Sequence, residues 1–210
     1  MFRISVRSAL LASAVALAGL APAIGHAQTT PHASVKSVRG TVEKLDGNTL
    51  TVKTSTGQTE TVDLTPGWGV RSVVPSSLSD IKAGTFIGTA TTGPDSQMVA
   101  REVVVFPDSM KGTGEGSYPW DLTPGSTMTN ATVDGEVKAT SGQELSLTYK
   151  GGTKKVMVPP GVPVVTFKPG DKSMVVPGAH IFARGPAKAD GTTITAGGVA
   201  VGANGLTPPM

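Results

Sequence analysis

The stretch Gly40-Thr41-Val42-Glu43-Lys44-Leu45-Asp46-Gly47-Asn48-Thr49-Leu50-Thr51-Val52-Lys53 decides the fold class. Leu50 and Val52 fall on one side of an extended chain, and Thr49, Thr51 and Lys53 on the other. That period of two is the mark of a half-buried strand. Asp46-Gly47-Asn48 reads as the tight hairpin turn leading into it. Outward from this point the same words return. Gly40, Val42, Gly47, Leu50 and Gly57 recur as Gly135, Val137, Gly142, Leu145 and Gly152. After one deleted residue, Pro66, Gly67, Val70, Pro75, Ser79, Gly84 and Ile87 recur as Pro160, Gly161, Val164, Pro169, Ser173, Gly178 and Ile181. Glycine and proline set turns and punctuate strands. Their dominance among the matches speaks for two copies of one small β-rich fold and says little about chemistry.

Each copy continues with a Pro-Gly turn, an apolar strand (70–74 and 162–167) and a short connector (76–84 and 170–178). The first connector has room for one helical turn around Leu78-Ser79-Asp80-Ile81. A last pair of strands closes each copy, 85–91 with 98–106 and 179–184 with 193–201. Short strands at spacings of roughly 8–15 residues, with no sustained 3.6-residue stripe, point to an all-β sandwich or barrel. The expected architecture is a tandem of two small OB-like Greek-key β-barrels, 35–107 and 133–203. Between them runs an irregular glycine-rich connector, 108–132, and a C-terminal tail occupies 204–210. Val103, Val104, Val105 and Phe106 are apolar on both faces, as a strand buried on one side and docked on the other would be.

Residues 1–27 have the layout of a secretory signal peptide: Arg3 and Arg7, an alanine- and leucine-rich stretch from Ala9 to Leu20, then Gly25-His26-Ala27 as a cleavage site. The apolar stretch is short of the roughly 20 residues of a membrane span. A soluble, exported, periplasmic protein is expected, not an integral membrane protein. The chain holds no cysteine, which excludes disulfides, thiolate catalysis and sulfur-based zinc sites. Loss of Arg3 and Arg7 takes the basic count from 18 to 16 against 15 acids, so the exported chain is near neutral. Its one adjacent basic pair, Lys154-Lys155, is no footprint for nucleic acid.

Gly40-Thr41-Val42, Asp46 to Val52 and Leu78-Ser79-Asp80-Ile81-Lys82-Ala83-Gly84 together resemble an exported bacterial domain family of unknown function. Its members are small OB-like β-barrels, often in tandem. Gly114-Glu115-Gly116, Tyr118-Pro119-Trp120-Asp121 and Met128-Thr129-Asn130-Ala131-Thr132 resemble a linker of uncharacterised proteobacterial periplasmic proteins. The resemblance implies the barrel fold and the periplasm and brings no activity. Some relatives carry a metal-permease label; for a chain without spanning helices, that would reduce to soluble metal binding.

Candidate site residues are few. Tyr118, Trp120 and Asp121 stand in the glycine-rich connector, where a linker needs no large aromatic; such a tryptophan pins the connection between barrels or walls a ligand site. Trp68 stands in Pro66-Gly67-Trp68-Gly69, where the second copy has Val162. His180 replaces Phe86 of the first copy, and His32 lies on the N-terminal arm. Either a packed imidazole or a ligand for a transition metal ion fits His180. The methionines are scattered, without the close spacing of a copper-carrying thioether cluster. A cell-envelope polymer-acting enzyme would need Glu115 and Asp121, or another carboxylate pair, facing across a cleft. No Gly-x-Ser-x-Gly elbow is present.

The expectation is a non-enzymatic periplasmic binding or adaptor protein without a cofactor, whose partner is a protein or small molecule of the cell envelope and not nucleic acid. Soluble metal binding through His180 and His32 is the alternative, and the polymer-acting enzyme comes last.

Overall fold

The computed structural model describes residues 34–139 and 142–210. The expected signal peptide, 1–27, and His32 lie outside the described residues.

The hairpin read at Asp46-Gly47-Asn48 is present. β1 (Val35–Asp46) turns back into β2 (Thr49–Lys53), with Asp46 opposite Thr49 and Gly47 in the left-handed region at φ 59°. Leu50 and Val52 are fully buried while Thr49 and Lys53 are exposed, as the alternation requires. β3 (Thr59–Pro75) pairs antiparallel with β2, burying Val62 and Leu64 on the same side.

The barrel begun by these three strands is completed from the far end of the chain. β12 (His180–Pro186) lies antiparallel to β1, β13 (Thr193–Gly202) lies parallel to β3, and β12 pairs with β13 through Ile181 and Val201. The closed order is β1-β2-β3-β13-β12. Val38, Val42, Leu50, Val62, Ile181 and Ile194 fill it, each side chain contributing about 1.5–3 kcal/mol by leaving water.

The remaining strands return on themselves in the same way. β8 (Thr127–Ala139), β9 (Gly142–Tyr149) and β10 (Gly152–Val158) pair in sequence. β5 (Met98–Ala100) runs parallel to β10, and β4 (Phe86–Thr92) pairs with both β5 and β8. Ile87, Met98, Val133, Leu145, Leu147 and Val156 fill this second ring. Between the rings, β11 (Val164–Pro169) pairs antiparallel with the end of β3 and parallel with β6 (Val103–Val105). A third cluster around Val73, Val104, Val165 and Met210 seals this seam. β7 (Gly116–Pro119) adds to the outside of β8.

The expected division into barrels at 35–107 and 133–203 needs correction, because the strands are exchanged between the two copies. The described residues accordingly cluster as one unit. The physical reason lies in β3. The expected Pro66-Gly67 turn does not end the strand. Leu64 pairs with Ala196 and Gly69 with Gly198, so the residues between bulge out of the ladder while the strand runs on to Pro75. That extension delivers the chain to β11 and into the second ring.

The copies are also offset in register. Val42 pairs with Val52 beside a bulge, and Val133 pairs with Leu147 beside the corresponding bulge. The structural counterpart of Val42 is therefore Val133 rather than Val137, because the β8–β9 hairpin is the longer one. Finally, the connector is shorter than expected, since Thr127 already begins β8.

Leu78–Asp80 forms a single 3₁₀ turn, and Lys172–Met174 forms its counterpart. Among the described residues no helix is long and apolar enough to cross a membrane.

Candidate functional site

Outward-facing residues of the two rings meet over the β3–β11 seam and border a half-open cavity of about 540 Å³. Two rows of cross-strand neighbours run beneath it. In the first, Arg71 on β3, Ala200 on β13 and Phe182 on β12 line the cavity, and Arg39 on β1 continues the row beyond it. In the second, Val104 on β6, Gly88 on β4 and Asn130 on β8 line it, and Val165 on β11 continues the row into the buried seam. Small residues keep the space open. A Cβ at Gly88 would stand 2.5 Å from Asn130 Oδ1 and 3.0 Å from Phe106, and one at Gly198 would stand 2.8 Å from the Gly69 carbonyl oxygen.

Aromatic rings make the walls. Phe106 lies between Phe86 and Phe167, at centroid separations of 5.4 and 5.8 Å. On the other side Trp120 lies 6.2 Å from both Tyr118 and Phe182. The connector supplies Tyr118 and Trp120 by a simple device. β7 pairs with β8 of the second ring, and the chain then crosses so that Trp120 and Asp121 reach the first. Trp120 carries the Arg184 guanidinium 4.3 Å from its ring centroid and that of Arg39 at 5.7 Å. Asp121 Oδ1 accepts from Arg39 Nη2 at 2.6 Å and from Ser37 Oγ at 3.1 Å. Partial burial works against ionisation of Asp121, but the Arg39 hydrogen bond and charge, with Ser37 and Arg184, hold its carboxyl below the usual range. Burial pushes the Tyr118 hydroxyl above its ordinary pKa, against the pull of Arg184.

Buried polar atoms normally find partners, and three residues at or behind this cavity do not follow the rule. Asn130 Nδ2 donates to the Thr113 carbonyl at 3.1 Å and to Tyr118 at 3.3 Å, while its buried Oδ1 has no partner. Trp120 Nε1 has none either. Glu102, between β5 and β6, is fully buried with both carboxyl oxygens unpartnered; burial raises its pKa to about 8, with the Arg39 charge opposing.

The other sequence candidates lie elsewhere. Trp68 swings inward on the β3 bulge and packs in the first ring, its Nε1 donating to Asn48 Oδ1 at 3.2 Å and Lys172 lying 4.5 Å over its ring. His180 is half-buried, with Nδ1 3.2 Å from Thr41 Oγ1. Among the described residues no group of three or more His, Cys, Asp or Glu side chains comes together as a metal site. Glu115 does not face Asp121 across a cleft: it accepts from the Lys150 backbone N–H at 3.0 Å, in the second ring, while Asp121 is held by the first.

Arg71, Phe106, Asn130, Phe167, Phe182 and Arg184 were not named as site candidates from the sequence. Two of them carried a readable signal, since Arg71 aligns with Val165 and Phe182 with Gly88 in the second alignment segment.

No protein-family model, no curated protein and no solved structure matches this chain.

Proposed function

We propose that this chain is a non-enzymatic binding protein of the bacterial periplasm whose small-molecule ligand occupies the cavity between the rings. The observation that carries the reading is an aromatic-walled space of about 540 Å³ whose border holds buried, unpartnered polar atoms on Asn130 and Trp120. Ligand sites are typically spaces of roughly 300–1,000 Å³ lined by apolar and aromatic groups with a few polar ones. The described residues that line the cavity include no acidic side chain, histidine or serine.

The OB-like reading of both rings belongs to the same proposal. In the first ring the fourth strand, β12, lies between β1 and β13, and β13 runs parallel to β3. The second ring has the same arrangement, with β4 between β8 and β5 and β5 parallel to β10, although β4 and β5 precede β8 in the chain. That winding is consistent with small Greek-key barrels, which bind on one outer face through loops and exposed aromatics. The signal-like residues 1–27 support export.

Native mass spectrometry of the chain purified from periplasm tests this reading. The expected result is an extra mass that survives native conditions, disappears on denaturation and is absent from Ala200→Phe, which fills the floor. A polypeptide of bare mass throughout, or the same adduct in Ala200→Phe, contradicts it.

A further inference from the structure

The charged side chains around the cavity are mostly basic. Its lining carries Arg71 and Arg184 and, among the described residues, no acidic side chain. Asp121, bound to Arg39, is a nearby acid that also feels the charge of Arg184. Three arginines stand on this outer face of the first ring, and their situations differ. Arg39 is committed: Nη2 is bound to Asp121, and Nε donates to a Met210 main-chain oxygen at 2.5 Å. Arg184 places Nη1 on Ser37 Oγ at 2.9 Å and stacks on Trp120, leaving the rest of its five-donor fork open. Arg71 makes no ion pair and no side-chain hydrogen bond among the described residues, although it stands next to Ala200 on the floor.

The matching row of the second ring carries no formal charge. Val165 stands where the first ring has Arg71, Val104 where it has Ala200, and Gly88 where it has Phe182. Phe106 and Phe167 extend that apolar side. The cavity therefore has a cationic side, where Arg71 and Arg184 flank Phe182, and an uncharged side, where Phe106 and Phe167 stand. A guanidinium fork matches a carboxylate in both shape and charge, and does so best where water is partly excluded.

We infer that the ligand is an amphipathic monocarboxylate. Its carboxylate lies between Arg71 and Arg184, and its apolar body lies against Phe106, Phe167 and Phe182. This rests on the cavity reading proposed above and adds the chemical class of the occupant.

Isothermal titration calorimetry of the full chain, unfolded and refolded to free it of ligand, tests the inference with three ten-carbon probes below their micellar concentrations: decanoate, decan-1-ol and decyltrimethylammonium. Decanoate binds one per chain, at least about tenfold more tightly than decan-1-ol, as one charge-assisted hydrogen bond requires. Decyltrimethylammonium does not bind. Arg71→Gln and Arg184→Gln each weaken decanoate about tenfold and leave decan-1-ol unchanged. Arg71→Gln is the safer variant, because Arg71 is exposed and its loss leaves no buried partner.

The class assignment is overturned if decan-1-ol or decyltrimethylammonium binds as tightly as decanoate, if none of the three binds, or if both arginine variants bind decanoate normally. The cavity reading fails separately, and visibly, if probes bind Ala200→Phe as they bind the parent chain.

Discussion

Val73 on β3 and Phe167 on β11 face each other directly across an antiparallel ladder, and in the sequence alignment of the two copies each is the other's counterpart. The two copies thus meet residue on equivalent residue at the seam. From that point each chain segment passes into the ring begun by the other copy, and the cavity forms over the crossing.

Strand exchange makes the halves of the chain dependent on each other. Residues 28–126 hold β1 to β3 but not the β12 and β13 that close their barrel. Expressed separately, 28–126 and 127–210 are expected to associate one-to-one, with cooperative unfolding only in the mixture. Light scattering after gel filtration, followed by thermal melts, checks this. Two independently cooperative monomers would mean that each copy closes its own barrel.

Glu102 makes stability depend on pH. Its folded-state pKa of about 8 stands above the ordinary value of 4.5, because burial disfavours the charge. The folded state therefore holds a proton that the unfolded state releases. Stability from this group is full below about 4.5 and is lost as pH rises through about 8. The melting temperature is expected to fall between pH 5 and pH 9, with at most a few kcal/mol involved. Glu102→Gln, which mimics the protonated form, flattens that decline. An equal decline in the variant assigns the pH dependence to other groups.

Trp120 fastens the connector to the first ring. Trp120→Ala removes its contacts with Phe182, Arg39 and Arg184 and is expected to cost about 2–3 kcal/mol, less than a fully buried tryptophan. Hydrogen exchange locates the effect: amides of 116–121 exchange faster while those of Leu50 and Leu145 stay protected. Asp121→Asn is milder, about 0.2–1 kcal/mol, because its ion pair with Arg39 is partly exposed.

Much of the fold could be read from residue pattern, for physical reasons that also mark its limit. Alternation placed Leu50, Val52, Leu145 and Leu147 inside because strand periodicity depends on local sequence alone. Pairing partners do not. When two copies offer similar apolar faces, β12 fits the ring of either copy, and the choice depends on whether β3 turns or bulges at Pro66-Gly67. The hairpin offset hid the correspondence of Arg39 with Asn130, since ungapped matching paired Val42 with Val137. Tyr118 and Trp120 were legible because large aromatics are out of place in a glycine-rich segment. Trp68 looked equally unusual, but its position on a bulge turns it into the barrel interior. Arg71 against Val165 was visible as a difference between copies, yet its meaning depends on knowing that both face one seam.

The chain has two tryptophans, one in the first ring's core and one on the cavity wall, so fluorescence of single-tryptophan variants tests the central claim most directly. Trp68→Phe leaves only Trp120, and Trp120→Phe leaves only Trp68. On titration with the ligand released from the periplasmic preparation, Trp120 emission is expected to shift and saturate at one ligand per chain, while Trp68 emission stays constant. A saturable response from Trp68 with Trp120 silent would place the site away from the cavity and contradict the account.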